Sequence, residues 1–547
     1  MADTFAAHQT QFVVFITLFA GAILLGFLAA RWRRQDLPED LEQWGLGGRA
    51  FGNFVTWFLL GGDIYTAYTL VALPALVYAV GAAGFFAVPY TAIMYPLIYL
   101  PLIRLWSVSH VHGFVTPSEF VRARFASRTL AALVAATSIV AVMPYIALQL
   151  VGLEAVFKVM QIKGDWPLWV AFAALALCTF KAGLRAPALI SIVKDILLLF
   201  TVFFAVILVS AFHGGWTTVF RDAAVKFADT PSPTDGLTLA SSGQAGYLSL
   251  VVGSALALFL YPHVQTGVLA AKNRKVIKRN IAALPVYTMA LAVMALLGFV
   301  AISQRVQPVG GDPNTIVPVL FDSLLPDWGA GLAFAAIGLG ALVPAAIMSI
   351  GAANLFTRSI YREYLRPNAS AAEETRVGKI VSLSVKLGAV LVILGLSPQF
   401  SIDLQTIGGV FILQILPAVG IGLYSAWMHR GALIAGLLTG LVTSVALLYQ
   451  IPRPGPDGRI VRAHFGGSSY PLSQFGFDSK QTVYVGIITL AANLLVAILG
   501  TVILRTLAVP AGVDATTPGD YIAEEGDTEI RRMSELVDGK GPLTPVK

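Results

Sequence analysis

Long apolar runs separated by shorter polar connections dominate the pattern of this chain. A membrane hydrocarbon core takes about 20 apolar residues per helix. The pattern therefore predicts an all-α polytopic membrane protein with about thirteen transmembrane helices. The predicted spans are residues 12–30, 52–81, 84–106, 129–158, 166–183, 186–212, 246–270, 282–303, 329–357, 378–397, 402–427, 431–450 and 482–506.

Basic residues are distributed unevenly over the connections between these runs. If the N-terminus lies outside, the inner connections hold 21 Lys and Arg residues and the outer ones hold nine. Cytoplasmic connections carry the excess of basic residues in membrane proteins, so we predict an outer N-terminus and a cytoplasmic C-terminus. The inner set includes Arg33, Arg34 and a tight cluster at residues 272–279.

Composition supports the same class of protein. Hydrophobic residues make up 56% of the chain and charged residues 12%, whereas soluble domains carry about a quarter charged residues. The net charge of +7 comes from the basic connections, so we expect no nucleic-acid partner. The lone Cys178 excludes a disulfide framework, and we expect no metal or cofactor. The apolar run after residue 11 has full spanning length, which argues against a cleavable signal peptide.

Two of the predicted spans are interrupted. The second contains Gly61-Gly62-Asp63, and the seventh contains Tyr261-Pro262-His263. The interruptions are five spans apart, so spans 2–6 and 7–11 form two candidate repeats that each begin with a broken helix. This arrangement is typical of inverted-repeat transporters with a binding site at the membrane midplane. The alternative is that these glycines and prolines serve helix packing.

Charged residues inside the spans are Asp63, Lys194, Asp195 and Lys386, with Asp403 near a span end. Each costs about 3 kcal/mol or more at the bilayer centre unless it is paired or hydrated. We assign functional roles to the first three. We expect the Lys386 side chain to snorkel towards an interface and Asp403 to lie at the outer interface.

Several motifs resemble one family of transporters. They are FKAGLRA at residues 180–186 followed by Lys194-Asp195, HGGW at 213–216, YPH at 261–263, AAKN at 270–273, NLFT at 354–357 and IYREY at 360–364. In this order they resemble the sodium/solute symporter family, which includes proline, sialic acid and sodium–galactose transporters, over residues 44–430. The resemblance implies a leucine-transporter-type 5+5 inverted repeat with one extra N-terminal and two extra C-terminal helices.

The implied organisation places one extra helix and a cytoplasmic loop before the two repeats. Its boundaries are 1–51 for that part, 52–212 for the first five-helix repeat, 213–245 for an extracellular loop, 246–427 for the second repeat, 428–510 for two C-terminal helices with an extracellular loop, and 511–547 for a mobile cytoplasmic tail.

A narrower resemblance is to bacterial monocarboxylate permeases. It is carried by WFLLGGD at 57–63, YTAYT at 65–69, LPALVYAVG at 73–81 and LQTIGG at 404–409. It implies a secondary-active symporter for lactate, pyruvate and short-chain acids, working by alternating access in the bacterial cytoplasmic membrane. The expected partners are a small carboxylate and the lipid bilayer, with no obligate protein partner evident. The alternatives are a Na⁺-coupled symporter of a monocarboxylate, an amino acid, a sugar or another small solute, a membrane enzyme, or a channel.

The resemblance also bears on the coupling ion. In sodium-driven members of the family, backbone carbonyls and a pair of hydroxyl side chains bind Na⁺. The resemblance places the carbonyls at Gly61 and Ile64, and it places Gly340 before the hydroxyl pair. That pair falls here on Val343 and Pro344, which have no hydroxyl. Lys194 stands where the family usually has threonine. We therefore predict H⁺ coupling through Lys194 with Asp63 or Asp195. The alternative is that Lys194 is a fixed counter-ion to Asp195 and Na⁺ binds elsewhere.

Candidate substrate ligands lie on or near the interrupted spans. A carboxylate needs donors, which the backbone amides near Asp63 and the polar side chains of several spans offer. The candidates are Tyr65, Thr66, Thr69, Tyr145, Gln149, Tyr261, His263 and Gln405. Each has a structural alternative, because tyrosines also anchor helices at interfaces and glutamines also join helices.

Overall fold

The computed structural model describes residues 9–32, 40–162, 164, 166–212, 214–229, 236–395, 400–454 and 459–527. Arg33 and Arg34 of the predicted inner connections, His213 of the HGGW motif and residues 528–547 of the predicted tail lie outside these residues.

The N-terminal part and the first half of the chain are helical. They comprise α1 (Gln9–Leu28) with a 3-10 turn (Ala29–Arg31), the short α2 (Leu41–Gly45) with a second turn (Gly47–Arg49), α3 (Asn53–Ile64), a π-helical turn (Tyr68–Ala72), α4 (Leu73–Val80), a 3-10 turn (Ala82–Phe86), α5 (Ala87–His112), the short α6 (Pro117–Phe125), α7 (Arg128–Val159), α8 (Trp166–Ala182) and α9 (Arg185–Phe212).

The second half repeats this order after a connecting helix. Its elements are the connecting α10 (Gly215–Asp229), a 3-10 turn (Ser241–Gly243), α11 (Gln244–Leu258), α12 (Pro262–Leu269), α13 (Arg274–Ala283), α14 (Pro285–Ser303), two 3-10 turns (Val309–Gly311 and Pro313–Thr315), α15 (Ile316–Leu324), α16 (Asp327–Phe356), a π-helical segment (Thr357–Leu365), α17 (Ala371–Gly395), α18 (Ile402–Ile412), a 3-10 turn (Leu413–Ile415) and a π-helical turn (Pro417–Ile421).

Two long helices and two small β-ladders complete the described chain. The elements are α19 (Arg430–Tyr449), β1 (Arg453–Pro454), β2 (Ile460–Arg462), β3 (Ser469–Pro471), a 3-10 turn (Leu472–Phe475), β4 (Thr482–Tyr484), α20 (Val485–Thr506) and a 3-10 turn (Pro518–Tyr521). The strands pair antiparallel as β1–β2 and β3–β4, with Ser469 opposite Tyr484 in the second ladder.

Each predicted span overlaps a helix or a bent helix pair, but the number of spans differs from the prediction. Among the described residues, eight single helices are long and apolar enough to cross a membrane, or up to ten if each bent pair counts as one span. The other predicted spans fall on α8, α17 and α18, which do not pass the same length and hydropathy criteria. The count of thirteen is therefore not confirmed.

Both interrupted spans are bent, by 47° in the first pair and 42° in the second. In the first, α3 ends at Ile64 and the backbone of Tyr65 is extended. Pro74 lacks the N–H that would bond to the Leu70 carbonyl, and the chain widens into a π-helical turn just before it. In the second, Tyr261 is extended and Pro262 occupies the first position of α12, where its missing N–H costs no hydrogen bond.

The core of the molecule is α16, whose most apolar 18-residue window is completely buried. It packs against α1, α7, α9 and α17. Glycine and alanine make up much of α16, and such small residues let helices approach closely in a membrane. At Gly331, an added Cβ would lie 2.6 Å from the Gln11 carbonyl oxygen of α1. This close packing fixes α16 as the support for the bent pairs.

The segment that follows α20 packs against the basic face of the molecule, defined here as the face that carries Arg104, Arg124 and Arg274. Tyr521 is buried between the guanidinium groups of Arg104 and Arg124, at 4.7 and 5.2 Å from its ring centroid. Residues 511–527 of the predicted tail, which we call the C-terminal strap, therefore pack against this face.

Candidate functional site

The bend between α3 and α4 is stabilised by side chains that take over lost helical hydrogen bonds. The Ala67 amide donates to Oε1 of Gln149 on α7 at 3.2 Å, and the Tyr68 amide donates to Oγ1 of Thr66 at 3.0 Å. A broken helix in a membrane is stable only where its freed backbone groups find such partners. Gln149 and Thr66, both predicted as substrate ligands, thus have a structural role at the bend.

The ammonium group of Lys194 lies at the same bend. From α9, its Nζ donates to the Gly62 carbonyl at 2.5 Å and to the Tyr65 carbonyl at 2.7 Å. It also pairs with Oδ1 of Asp195 at 2.8 Å, and both side chains are fully buried. One cation is thereby held by two backbone carbonyls of the broken helix and one carboxylate.

Asp195 is fixed from its other side by Tyr287 of α14. The Tyr287 hydroxyl donates to Oδ2 at 2.6 Å, which satisfies the second carboxylate oxygen. The Tyr287 ring lies against Tyr65, with ring centroids 4.7 Å apart. Tyr287 was not among the residues predicted from the sequence. The sequence marks it only as a tyrosine inside an apolar span.

Gly61 and Gly62 make this arrangement sterically possible. A Cβ at Gly61 would lie 2.3 Å from the Tyr287 ring. A Cβ at Gly62 would lie 3.1 Å from Nζ of Lys194 and 3.2 Å from both Asp195 carboxylate oxygens. The glycine pair therefore allows α3 to approach the ion pair, in addition to weakening the helix.

Asp63 directly follows the glycine pair in sequence and is 1% exposed. Within the described part of the chain, neither of its carboxylate oxygens has a hydrogen-bond partner and it forms no ion pair. An ionised carboxylate buried without partners is strongly unfavourable. A negative charge on Asp63 is thus not balanced by a hydrogen bond or an ion pair among the described residues.

A second cluster gathers predicted ligands from both halves of the molecule. The rings of Tyr145, Tyr261 and His263 lie 5.2–5.6 Å apart, and the Tyr261 hydroxyl donates to the Gln405 carbonyl at 2.9 Å. Among the described residues, both ring nitrogens of His263 and Oε1 of Gln405 have no hydrogen-bond partner.

Further buried hydroxyls that have no hydrogen-bond partner among the described residues lie on the first bent pair. They are those of Tyr65, Tyr68 and Thr69. Buried polar groups are nearly always hydrogen-bonded, so a group of orphaned polar atoms indicates a place for a polar ligand or water. Tyr68 is a further residue that the sequence-based candidates did not include.

The two carbonyls that hold the Lys194 ammonium are not the two that were predicted as ligands of a sodium ion. The Gly61 carbonyl accepts the Tyr65 amide at 2.9 Å, and the carbonyls that meet a cation belong to Gly62 and Tyr65. The backbone position of Gly340 faces the bend, since an added Cβ would lie 4.0 Å from the Thr66 carbonyl carbon. Val343 and Pro344 are buried and offer no oxygen from their side chains.

Two more charged residues within the spans have different surroundings. Lys386 was predicted to snorkel towards an interface. Its side chain is instead buried, with 2% exposed, and its Nζ lies 3.1 Å from Oγ1 of Thr179. Asp403 lies in the first turn of α18, where its carboxylate accepts the Phe400 amide at 3.3 Å.

Two broken helices around a buried polar site define a secondary transporter, and comparison with known proteins gives the family. The Sodium:solute symporter family profile matches residues 44–440. The chain belongs to this family of transporters, and the predicted family membership is confirmed. It is a transporter and not an enzyme, as predicted.

Individual relatives are consistent with this family. The chain is 45% identical to a "Monocarboxylate transport permease protein" of Rhizobium johnstonii over 90% of its own length and 96% of that protein. It is 25% identical to a sodium/proline symporter of Haemophilus influenzae, over 80% of this chain and 88% of that protein. These bacterial relatives are consistent with a multi-pass protein of the inner membrane.

A solved structure supports the fold. A Na⁺-coupled sialic acid symporter in a substrate-bound outward-open state superposes with a TM-score of 0.68 at 15% identity, covering 90% of this chain and 98% of that chain. The predicted leucine-transporter-type fold is confirmed.

Proposed function

We propose that this protein is a secondary-active symporter that takes up small monocarboxylates together with H⁺. The relative at 45% identity, described as a monocarboxylate transport permease, supports the substrate class. The observation that carries the coupling proposal is the Lys194 ammonium, which is bound by the Gly62 and Tyr65 carbonyls at the helix break.

Coupling follows from what a proton does at this position. A protonated Lys194 donates to both carbonyls and forms an ion pair with Asp195, and so holds α9 against the bend between α3 and α4. Loss of the proton removes the charge and weakens all three contacts. The bend can then separate from α9, so proton release is linked to the change between outward-facing and inward-facing states.

Asp63 is the proposed partner in this proton cycle. Its carboxyl group is buried without a hydrogen bond or ion pair in the described part of the chain, and protonation removes the unfavourable charge. We propose that Asp63 takes up the proton from the open side and that Asp195, held by Tyr287, remains the counter-ion of Lys194.

The substrate carboxylate is proposed to bind between the two bent pairs. The donors are the His263 ring and the hydroxyls of Tyr68 and Thr69, which lack partners in the described structure. The Gln405 amide and the rings of Tyr145 and Tyr261 close the site from the other half. A small apolar chain such as that of lactate suits these aromatic walls.

The proposed orientation places the basic face in the cytoplasm and the β1–β4 ladders outside. The excess of basic residues on the connections of the basic face supports this orientation.

Reconstituted proteoliposomes test the coupling ion. An acidic exterior without sodium should drive accumulation of labelled lactate above that of protein-free liposomes, which correct for passive entry of the undissociated acid. Lys194→Met should abolish it, whereas Lys278→Met on the basic face should not. The proposal is wrong if a sodium gradient alone drives accumulation and Lys194→Met leaves that uptake unchanged.

The alternative that these experiments address is sodium coupling, which the family description and the proline relatives favour. Competition by C2–C6 monocarboxylates, proline and sugars against labelled lactate tests the solute separately. Competition by proline without competition by pyruvate would contradict the proposed substrate class.

A further inference from the structure

A groove runs between α8 and α17. It has a volume of about 260 Å³, and the residues that line it do not belong to the bent helix pairs. Large apolar side chains border it and are exposed, with Leu177 61%, Phe180 45% and Leu383 44% accessible. α8 and α17 lie on two of the predicted spans, and in a membrane-spanning segment such side chains face lipid tails. On this basis we take the groove to be open to the bilayer.

Lys386 lies in the wall of this groove and is 2% exposed. Its Nζ lies 3.1 Å from Oγ1 of Thr179 and 3.4 Å from Oγ of Ser382. Both partners are neutral hydroxyls, and an ammonium group has three N–H donors. Among the described residues, no carboxylate lies within ion-pair distance of Lys386. A buried cation without an anion is unfavourable, so the groove is electrostatically incomplete.

A second lysine, Lys379, also lines the groove. It lies on α17 two turns before Lys386, with its Nζ 5.4 Å from the Phe180 ring centroid. The Lys386 side chain is directed towards the N-terminus of α17, since it reaches Ser382 one turn earlier. Thr179 lies in the last turn of α8, next to Lys181. The Lys386 side chain is therefore directed towards the end of the groove that carries Lys379.

We propose that this groove binds an anionic phospholipid, with its phosphate on Lys386 and Lys379 and an acyl chain along Leu177 and Leu383. Basic pockets between transmembrane helices on the cytoplasmic side are the sites that acidic lipid head groups occupy. The lipid phosphate supplies the anion that Lys386 lacks, and the exposed apolar border supplies the surface for the tail. The assignment of the lipid to the inner leaflet rests on the orientation given under Proposed function. The lipid site itself is proposed from the groove and its lysines and does not depend on that orientation.

Lipid binding to the purified full-length protein in neutral detergent tests the proposal. Native mass spectrometry compares retention of dioleoyl phosphatidylglycerol with that of dioleoyl phosphatidylcholine, which has the same tails and no net charge. The wild type should retain the anionic lipid in preference. Lys386→Met and Lys379→Gln should each reduce that preference about fivefold, because each basic contact to an acidic lipid contributes on that order. Lys275→Met, which removes an exposed lysine of α13, should leave it unchanged.

Thermal unfolding provides a second measurement that does not depend on mass spectrometry. Phosphatidylglycerol should raise the melting temperature of the wild type and of Lys275→Met, but not that of Lys386→Met. Equal stabilisation of Lys386→Met, an equal loss in Lys275→Met, or displacement of the lipid by inorganic phosphate would overturn the proposal. None of these measurements involves transport, so their failure leaves the proposed function untouched.

Discussion

At the scale of single residues, the ion pair of Lys194 and Asp195 shows how two charges are kept inside a membrane. The ammonium has two carbonyl acceptors and the Asp195 carboxylate as its counter-ion, and the second carboxylate oxygen accepts the Tyr287 hydroxyl. Buried ion pairs are tolerated when their remaining donors and acceptors are also satisfied. Removing one member therefore has a different effect from removing both.

Lys194→Met should lower the free energy of unfolding by about 3–5 kcal/mol, because it leaves Asp195 buried without its cation. The double variant Lys194→Met/Asp195→Asn should recover much of this loss, while transport remains absent. Denaturant unfolding in detergent measures the stability, and lactate uptake measures the function. A double variant that is no more stable than Lys194→Met would contradict this account.

Two glycines on facing helices give a matched comparison. Gly61→Ala places a Cβ 2.3 Å from the Tyr287 ring and should destabilise the protein by about 1–3 kcal/mol through overpacking. Gly340→Ala finds its nearest neighbour at 3.8 Å and should be neutral or slightly stabilising, because alanine favours the helix. Melting temperatures of the two variants measure the difference. Equal melting temperatures would show that Tyr287 can move away from α3.

At the scale of elements, the C-terminal strap joins parts of the basic face that are distant in sequence. Oδ2 of Asp520 lies 2.8 Å from Nε2 of His112 at the end of α5, and Asp514 pairs with Arg124 of α6. Burial alone would raise the pKa of Asp520. Hydrogen bonds from His112 and the Thr517 amide outweigh it, so the pKa of Asp520 lies below its usual value.

The lowered pKa of Asp520 gives the strap a predictable pH dependence. A carboxyl group with a lowered pKa in the folded state stabilises that state above its unfolded value of about 3.9, and the effect is lost as pH falls through the folded value. The strap should therefore stay docked at neutral pH and loosen in strong acid.

Asp520→Asn should loosen the strap by about 2 kcal/mol at neutral pH, because it removes a buried charged hydrogen bond. Hydrogen exchange of residues 511–527 measures this. Glu524→Gln is the control, since its ion pair with Arg274 at 3.3 Å is exposed on the Glu524 side and should contribute little. The prediction is contradicted if both variants accelerate exchange equally.

At the scale of the whole molecule, the unequal distribution of basic residues should fix the orientation in the membrane. The native Cys178 is fully buried and gives a low background for thiol labelling. Val461 in β2, before α20, and Ile522 in the strap, after α20, are each 64% exposed.

In intact cells, a membrane-impermeant thiol reagent should label Val461→Cys and should label Ile522→Cys only after the cells are permeabilised. The extent of labelling on gels measures both variants. Labelling of Ile522→Cys in intact cells would reverse the orientation.

Several features of the site were predictable because they interrupt an otherwise apolar pattern in the sequence. Asp63, Lys194 and Asp195 stand out in spans that otherwise carry no charge, and Gly61-Gly62 and Pro262 mark the breaks. Tyr287 was not predictable in this way, because a tyrosine in an apolar span is common and its partner is 92 residues away in sequence. The contacts of Lys194 with the Gly62 and Tyr65 carbonyls were not predictable for a similar reason.

The sequence by itself determined the class of protein, the approximate spans and the two interruptions, since each follows from hydrophobicity and from the backbone chemistry of glycine and proline. The tertiary structure decided which atoms meet at the break. In a continuous helix each carbonyl accepts the amide four residues later, so the carbonyls of Gly62 and Tyr65 can accept from Lys194 because the helix is broken where Gln149 and Thr66 hold the bend. It also decided that Lys386 is buried in a groove, because that depends on how α8 and α17 pack and not on either helix alone.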